Sequence, residues 1–296
     1  MTIREAQQIM RSFYQIGSPS EQDIFLFTEA LAFLIRETKE PQYMMELGGY
    51  YYEQRQFDLA LKYYELAAEY NDPEADVCLG YIWYYGRTGQ CDYEKAFHCF
   101  SRAGDAGNLR AAIKLADMHQ NGYFVRQDGE KYRQIIEELY PRVKDAVFLH
   151  EPLPEVFTRL ARIRAEAGRT AEAAGLYLQA KEFLAQRISK TDFFGDINIM
   201  MGLVDALYAL IPFNPNAFDL HDLCFLLTGS CRVRFRRAGR TFEIEASSDG
   251  GEPDIRFGER HFRSRADFFR KARIGNERLT AIYDSLYGFE VEAWRS

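Results

Sequence analysis

The stretch Ala67-Ala68-Glu69-Tyr70-Asn71-Asp72-Pro73-Glu74-Ala75-Asp76-Val77-Cys78-Leu79-Gly80 decides the fold. It reads as the end of one helix, a two-residue break and the start of the next. Asp72 is a good N-cap, because its carboxylate can accept from the first free helical N–H groups. Pro73 follows at the first helical position, where its missing N–H had no partner to lose. Six residues on comes Leu79-Gly80, a large apolar residue followed by a small one.

The same opening recurs along the chain. Pro41 precedes Leu47-Gly48 and Pro154 precedes Leu160-Ala161, each by six residues; Leu109 leads to Leu115-Ala116 without a proline. A second helix is predicted after each of these, with a rhythm of small, large, small at helical spacing in three of them. The triplets are Ala60, Tyr64, Ala67; Ala96, Phe100, Ala103; and Ala173, Tyr177, Ala180. Two helices approach within ~8–10 Å only where one offers a small residue to the other's bulky one. Gly48 and Gly80 give that approach from the first helix, with Tyr51 and Trp83 filling the space above.

These residues resemble the tetratricopeptide repeat and, more closely, the Sel-one-like repeat family. The run from Ala67 to Gly80 crosses a repeat boundary as that family does, and Ala103 to Ala116 keeps the spacing. The loops Tyr85-Gly86 to Asp92 and Asn121-Gly122 to Val125 and Asp128 have the longer Sel-one-like form; the block at Leu160 has the shorter tetratricopeptide loop. The resemblance covers roughly residues 20–185. It departs at Tyr132, where a small residue is expected, and at His119 and Arg164, where an aromatic is usual; residues 141–153 fall outside the period. Arg4 to Tyr14 with Asp23 to Arg36, and Asp196 to Leu210, read as capping helices that close a repeat array.

After Pro212-Phe213-Asn214-Pro215-Asn216 the periodicity changes. Phe218 to Leu227 reads as a short helix. Residues 232–236 and 242–245 alternate as strands around an Ala238-Gly239 hairpin turn. That register pairs Phe235 with Phe242 and Val233 with Ile244 on one face, and Arg234 with Glu243 and Arg232 with Glu245 on the other. A second hairpin over Gly258 joins Asp254–Phe257 to Arg260–Arg263. Ser264 with Asp267 opens a helix, Asn276 caps another that ends at Gly288, and Phe289 to Trp294 forms a last strand. The expected fold is therefore mainly α: a right-handed α-α superhelix, a tetratricopeptide-like solenoid over residues 1–213, followed by a small α+β domain over 214–296.

Composition bounds the function. The 296 residues are 47% hydrophobic and 27% charged, with a formal net charge of −7 and a pI of about 5.4. A chain this acidic repels phosphate in bulk. Cys78, Cys91, Cys99, Cys224 and Cys231 form no CxxC pair, which points to reduced thiols and a cytoplasmic location, with no metal. No apolar run reaches the ~20 residues of a membrane span, and no leader is read at the N-terminus. Glycine-rich phosphate loops, HExxH and GxSxG are absent, and His98, His119, His150, His221 and His261 are scattered. His221-Asp222 is the one candidate limb of a catalytic pair. The chain is expected not to be an enzyme and to need no cofactor.

The resemblance implies a bacterial-type adaptor or scaffold whose first helices line a concave, partner-binding groove. Its groove positions fall on Tyr52, Tyr81, Tyr84, Tyr85, Asp117, Gln120 and Asn121, and the partner is a protein or peptide. Tyrosine suits such a surface, offering large area at low entropic cost together with a hydroxyl. The competing reading rests on residues 231–278, which carry 13 Lys or Arg against 8 Asp or Glu. There Arg236, Arg237 and Arg240, without an evident partner, would bind nucleic acid or another anion.

Overall fold

The computed structural model describes residues 1–144, 153–191, 194–248 and 251–295. Contacts divide the chain into two compact units, Met1–Ile135 and Ile136–Ser296. The compositional boundary at 213/214 lies inside the second.

The first unit is a stack of antiparallel helix pairs: α1 (Ile3–Phe13) with α2 (Glu21–Thr38), α3 (Pro41–Glu53) with α4 (Phe57–Glu69), α5 (Pro73–Tyr84) with α6 (Tyr93–Asp105), then α7 (Leu109–Asn121) and the start of α8 (Gly129–Val143). The helix starts follow the sequence signals. Asp72 accepts from the N–H groups of Glu74 and Ala75, Asn108 from Ala111, and Asp92 from Lys95. Pro41 and Pro73 open their helices. Gly86 (φ 59°) and Gly122 (φ 70°) turn the chain in the left-handed region at the two longer loops.

The small-large-small triplets form the core, with Ala60, Tyr64 and Ala67, and Ala96, Phe100 and Ala103, all buried. A Cβ at Gly48 would lie 2.7 Å from the Tyr64 ring, and one at Gly80 2.4 Å from Phe100. The departures also pack inside. Tyr132 is buried, and His119 meets Phe97 edge-on, doing the work of the missing aromatic. At the capping pair, Phe13 stacks on Phe27 with centroids 4.0 Å apart.

The second unit begins in α8 and continues through α9 (Leu153–Glu166), α10 (Thr170–Lys190) and α11 (Phe194–Leu210). Ala173, Tyr177 and Ala180 are buried along α10. Arg164 pairs with Glu137 at 2.6 Å, and Arg187 joins three helices by pairing with Glu155 (2.7 Å) and Asp196 (2.8 Å). The segment 212–216 is not free: Phe213 packs on Tyr208 and Phe225. The helix expected over Phe218 to Leu227 is shortened to α12 (Leu223–Leu226), because the residues before it form turns around Asp219.

Strands β1 (Ser230–Arg237), β2 (Arg240–Ser247), β3 (Asp254–Phe257), β4 (Arg260–Phe262) and β7 (Tyr287–Arg295) form one antiparallel sheet in the order β4-β3-β2-β1-β7. The β1–β2 register is the expected one at all four pairs, and Ile255 faces Phe262 across the second hairpin. One face buries Val233, Phe235, Ile244 and Ile255, with Phe235 stacked between Phe242 and Phe289. Ser264 caps α13 (Arg265–Lys271) by accepting from the Asp267 N–H. Two expectations are corrected. Asn276 sits in the turn between β5 (Arg273–Ile274) and β6 (Glu277–Arg278), where Gly275 has φ 61°, and the helix that follows is a 3-10 helix, Leu279–Ser285, led by Arg278. Gly288 lies within β7, in the region where β7 slips register against β1. Among the described residues no helix is long and apolar enough to cross a membrane.

Candidate functional site

Successive first helices place corresponding residues side by side, so a groove position is defined by its offset from Leu47, Leu79 and Leu115. Tyr52 on α3, Tyr81 and Tyr84 on α5, Tyr85 at its end and Asp117 on α7 come together, and two cations join them. Arg87 lies over the rings of Tyr85 (5.2 Å), Phe57 (5.7 Å) and Tyr52 (5.9 Å), and its Nε donates to the Tyr52 hydroxyl at 3.1 Å. Lys114 lies over Tyr84 (4.9 Å), Tyr85 (5.2 Å) and Tyr81 (5.7 Å), donates to the Tyr85 hydroxyl at 2.9 Å, and approaches Asp117 at 3.7 Å. Tyr85 thus has two cations near it, Arg87 by its ring and Lys114 at its hydroxyl. Such contacts contribute about 0.5–1 kcal/mol each at exposed sites and more when desolvated.

Exposure grades along this strip. Tyr85 is 45% exposed, while the Lys114 side chain is 15% exposed. Tyr84 also packs edge-on against Phe100, Tyr93 and Tyr123. Burial, reinforced by Asp117, pushes its phenol well above the ordinary value, so it stays a neutral donor. Gln120 and Asn121 hold the offsets of Tyr84 and Tyr85 one repeat on; Gln120 lies near Gly129, and the Asn121 amide donates to its own helix at the Asp117 carbonyl, 2.8 Å. Arg87 and Lys114 were not anticipated. Lys114 occupies the offset that holds Glu46 and Cys78 in the preceding repeats, so its signal was a charge change at a repeat position.

At the N-terminal end of the same face lies a cavity of about 510 Å³ walled by Phe13, Ile16, Met45 and Tyr50, with Gly49 at its edge. Glu46 and Glu53 stand on its rim, and the Tyr14 hydroxyl donates to Glu46.

The second unit holds a polar cluster that the scattered histidines did not suggest. Lys181 on α10 pairs with Asp222 (2.5 Å) and Asp219 (2.9 Å), and the Tyr208 hydroxyl donates to Asp222 at 2.7 Å. His221 stacks edge-on against Tyr283 at 4.9 Å, and among the described residues neither of its ring nitrogens has a hydrogen-bond partner. Burial pushes its pKa down to about 4, so it is neutral. Lys181 is 8% and His221 1% exposed, so the cluster ties α10 internally to the turns before α12 and reaches the surface through Asp219, whose side chain is 51% exposed. His150 lies outside the described residues.

The arginine-rich sheet is self-paired. Arg232 meets Glu245 at 2.6 Å, Arg234 meets Glu243 at 2.8 Å and also Glu292, and Arg256 meets Glu245. Of the three candidate anion ligands, Arg237 pairs with Glu277 at 2.8 Å, correcting the expectation that it lacks a partner. Arg236 runs beside Gly288, and Arg240 is exposed at the hairpin end. Among the described residues no cluster of His, Cys, Asp and Glu could hold a metal ion.

No protein-family profile matches the chain, and neither does any curated protein. Among solved structures, it is similar to a Sel1 repeat protein from Oxalobacter formigenes, with a TM-score of 0.51 and 20% identity over 69% of this chain and 75% of that one. Weaker likenesses join it to c5321, a protective antigen of uropathogenic Escherichia coli with an SLR fold (TM-score 0.42, 18% identity, 73% of this chain and 50% of that one), and to the type IV pilus biogenesis factor PilW (0.43, 14%, 69% and 86%). The first likeness shows the fold, a helical-repeat stack of the kind that residues 67–80 indicate.

Proposed function

We propose that this chain is a non-catalytic adaptor that holds a peptide or protein segment in the groove formed by the first helices of its repeats, and that it works in the cytoplasm. The observation that carries this reading is the strip Tyr52, Arg87, Tyr85, Lys114, Tyr84. Here aromatic rings and cations from three successive repeats share one face, with Tyr85 and Arg87 exposed, held by contacts to one another. Tyrosine and arginine are the residues most able to anchor a partner, since each joins a large contact area to a polar end. The fold supports the same reading, because stacked helix pairs present extended surfaces suited to protein partners.

The test is co-precipitation of partners from native lysate by the full chain, its Tyr85→Ala variant, and the Tyr84→Ala/Tyr85→Ala double variant. Circular dichroism confirms that each variant is folded. The expected outcome is loss of a specific partner in the double variant and weakening in the single one. Retention of every partner by a folded double variant would remove the groove assignment.

A further inference from the structure

We propose that the occupant of this groove is an extended segment of mixed charge: an apolar side chain beside a basic residue enters the cavity at Gly49, and acidic residues lie over Arg87 and Lys114. This rests on the groove reading and adds its chemistry.

Gly49 marks the apolar end. It aligns with Tyr81 and Asp117 in the next two repeats, so the first repeat leaves open the place where the second puts a ring. Packing does not require this glycine. A Cβ there would meet only the Tyr64 hydroxyl, at 3.9 Å, whereas the neighbouring Gly48 has the Tyr64 ring at 2.7 Å. A glycine inside a helix that no close approach demands costs the fold stability, and what it leaves is room. That room is walled by Phe13, Ile16, Met45 and Tyr50, and it is ample for a leucine or an aromatic side chain. Glu46 and Glu53 line the same opening. They favour a basic neighbour for the entering residue and disfavour an acidic one.

Arg87 and Lys114 mark the other end. Both press on Tyr85, each at 5.2 Å, so two like charges share one ring. Among the described residues, Arg87 has no carboxylate within ion-pair distance; its bonds go to rings and to the Tyr52 hydroxyl. Lys114 has Asp117 at 3.7 Å. The tyrosines are thus already engaged by the chain's own cations, and a basic partner residue would have to displace them. An acidic residue pairs with them in place. The first helices of adjacent repeats lie about 10 Å apart, so the strip spans roughly 20 Å, a reach of about six extended residues.

Fluorescence anisotropy with the full chain and labelled peptides of about twelve residues tests this. One probe joins a lysine-flanked leucine to a glutamate block, in both chain orders; a uniformly acidic and a uniformly basic analogue, and a single-stranded oligonucleotide, complete the set. The expected result is tightest binding of the mixed probe in one chain order, weakened by added salt. Gly49→Leu, which puts a side chain into the cavity, and Arg87→Gln, an exposed change, should each weaken it about tenfold, the scale of one strong contact, with unchanged circular dichroism. Equal or tighter binding of the basic probe that is still lost in Gly49→Leu would keep the groove and overturn the charge assignment. Binding indifferent to both substitutions, preference for the oligonucleotide, or no binding of any probe would overturn the proposal.

Discussion

A methyl group on Gly80 would meet the Phe100 ring at 2.4 Å, and that ring is fully buried between Ala96 and Ala103. Overpacking of this kind costs about 1–3 kcal/mol. Gly80→Ala should therefore lower the urea midpoint of the full chain, while Gly49→Ala, with nothing nearer than 3.9 Å, should leave it unchanged or raise it. Equal losses in the two variants would show that the contrast between packing glycine and cavity glycine is wrong. Gly48 and Gly80 were readable beforehand because a small residue on one helix and a bulky one on the next recur at fixed spacing. Lys114 was not. Lysine usually marks a solvated face, and the three rings around it lie about thirty residues earlier in the chain, on the first helix of the preceding repeat and at its end.

Among elements, what could be read depended on how near in sequence the partners lie. The β1–β2 register followed from two short alternating runs around one turn, so both faces could be checked against each other. Pairing of β1 with β7 has no such local mark, and neither does the tie from α10 to the turns before α12. Asn276 looked like a cap because a helical stripe follows it, but Gly275 beside it makes a tight turn and moves the helix start to Arg278. The α10 tie has a measurable consequence. Lys181→Met leaves Asp222 buried beside Tyr208 without its cation, and breaking such a pair costs about 3–5 kcal/mol. Thermal or urea unfolding should show that loss, and Lys181→Met/Asp222→Leu should recover part of it, since the orphaned charge goes with the second change. A single variant as stable as the parent would mean that the pair contributes nothing.

For the molecule as a whole, His221 ties stability to acidity. Burial holds its pKa at about 4 in the folded chain, below the ordinary value near 6.5 of an unfolded chain. Between those values the unfolded chain takes up a proton that the folded one refuses, so stability is full above about 6.5 and falls as pH drops towards 4, by on the order of 1.4 kcal/mol per pH unit. The groups facing the imidazole are Asp219, which opposes this, and Lys181, which reinforces it, with Tyr283 packed on the ring. Urea midpoints at pH 7, 6 and 5 should fall in the parent and fall less in His221→Phe; parallel curves would show that this histidine is not the source.

The placement of β7 has a further consequence, for the chain as it is being made. β1 lies inside the sheet, and its outer neighbour is a strand whose Glu292 pairs with Arg234 across 58 positions of sequence. Until those residues leave the ribosome, roughly 3 to 12 seconds at ordinary translation rates of 5–20 residues per second, β1 shows an open edge of unpaired backbone with Val233 and Phe235 beside it. An exposed edge of that kind is a template for another nascent chain. The interval before β7 closes it is when chains translated side by side on one message are most exposed to misassembly.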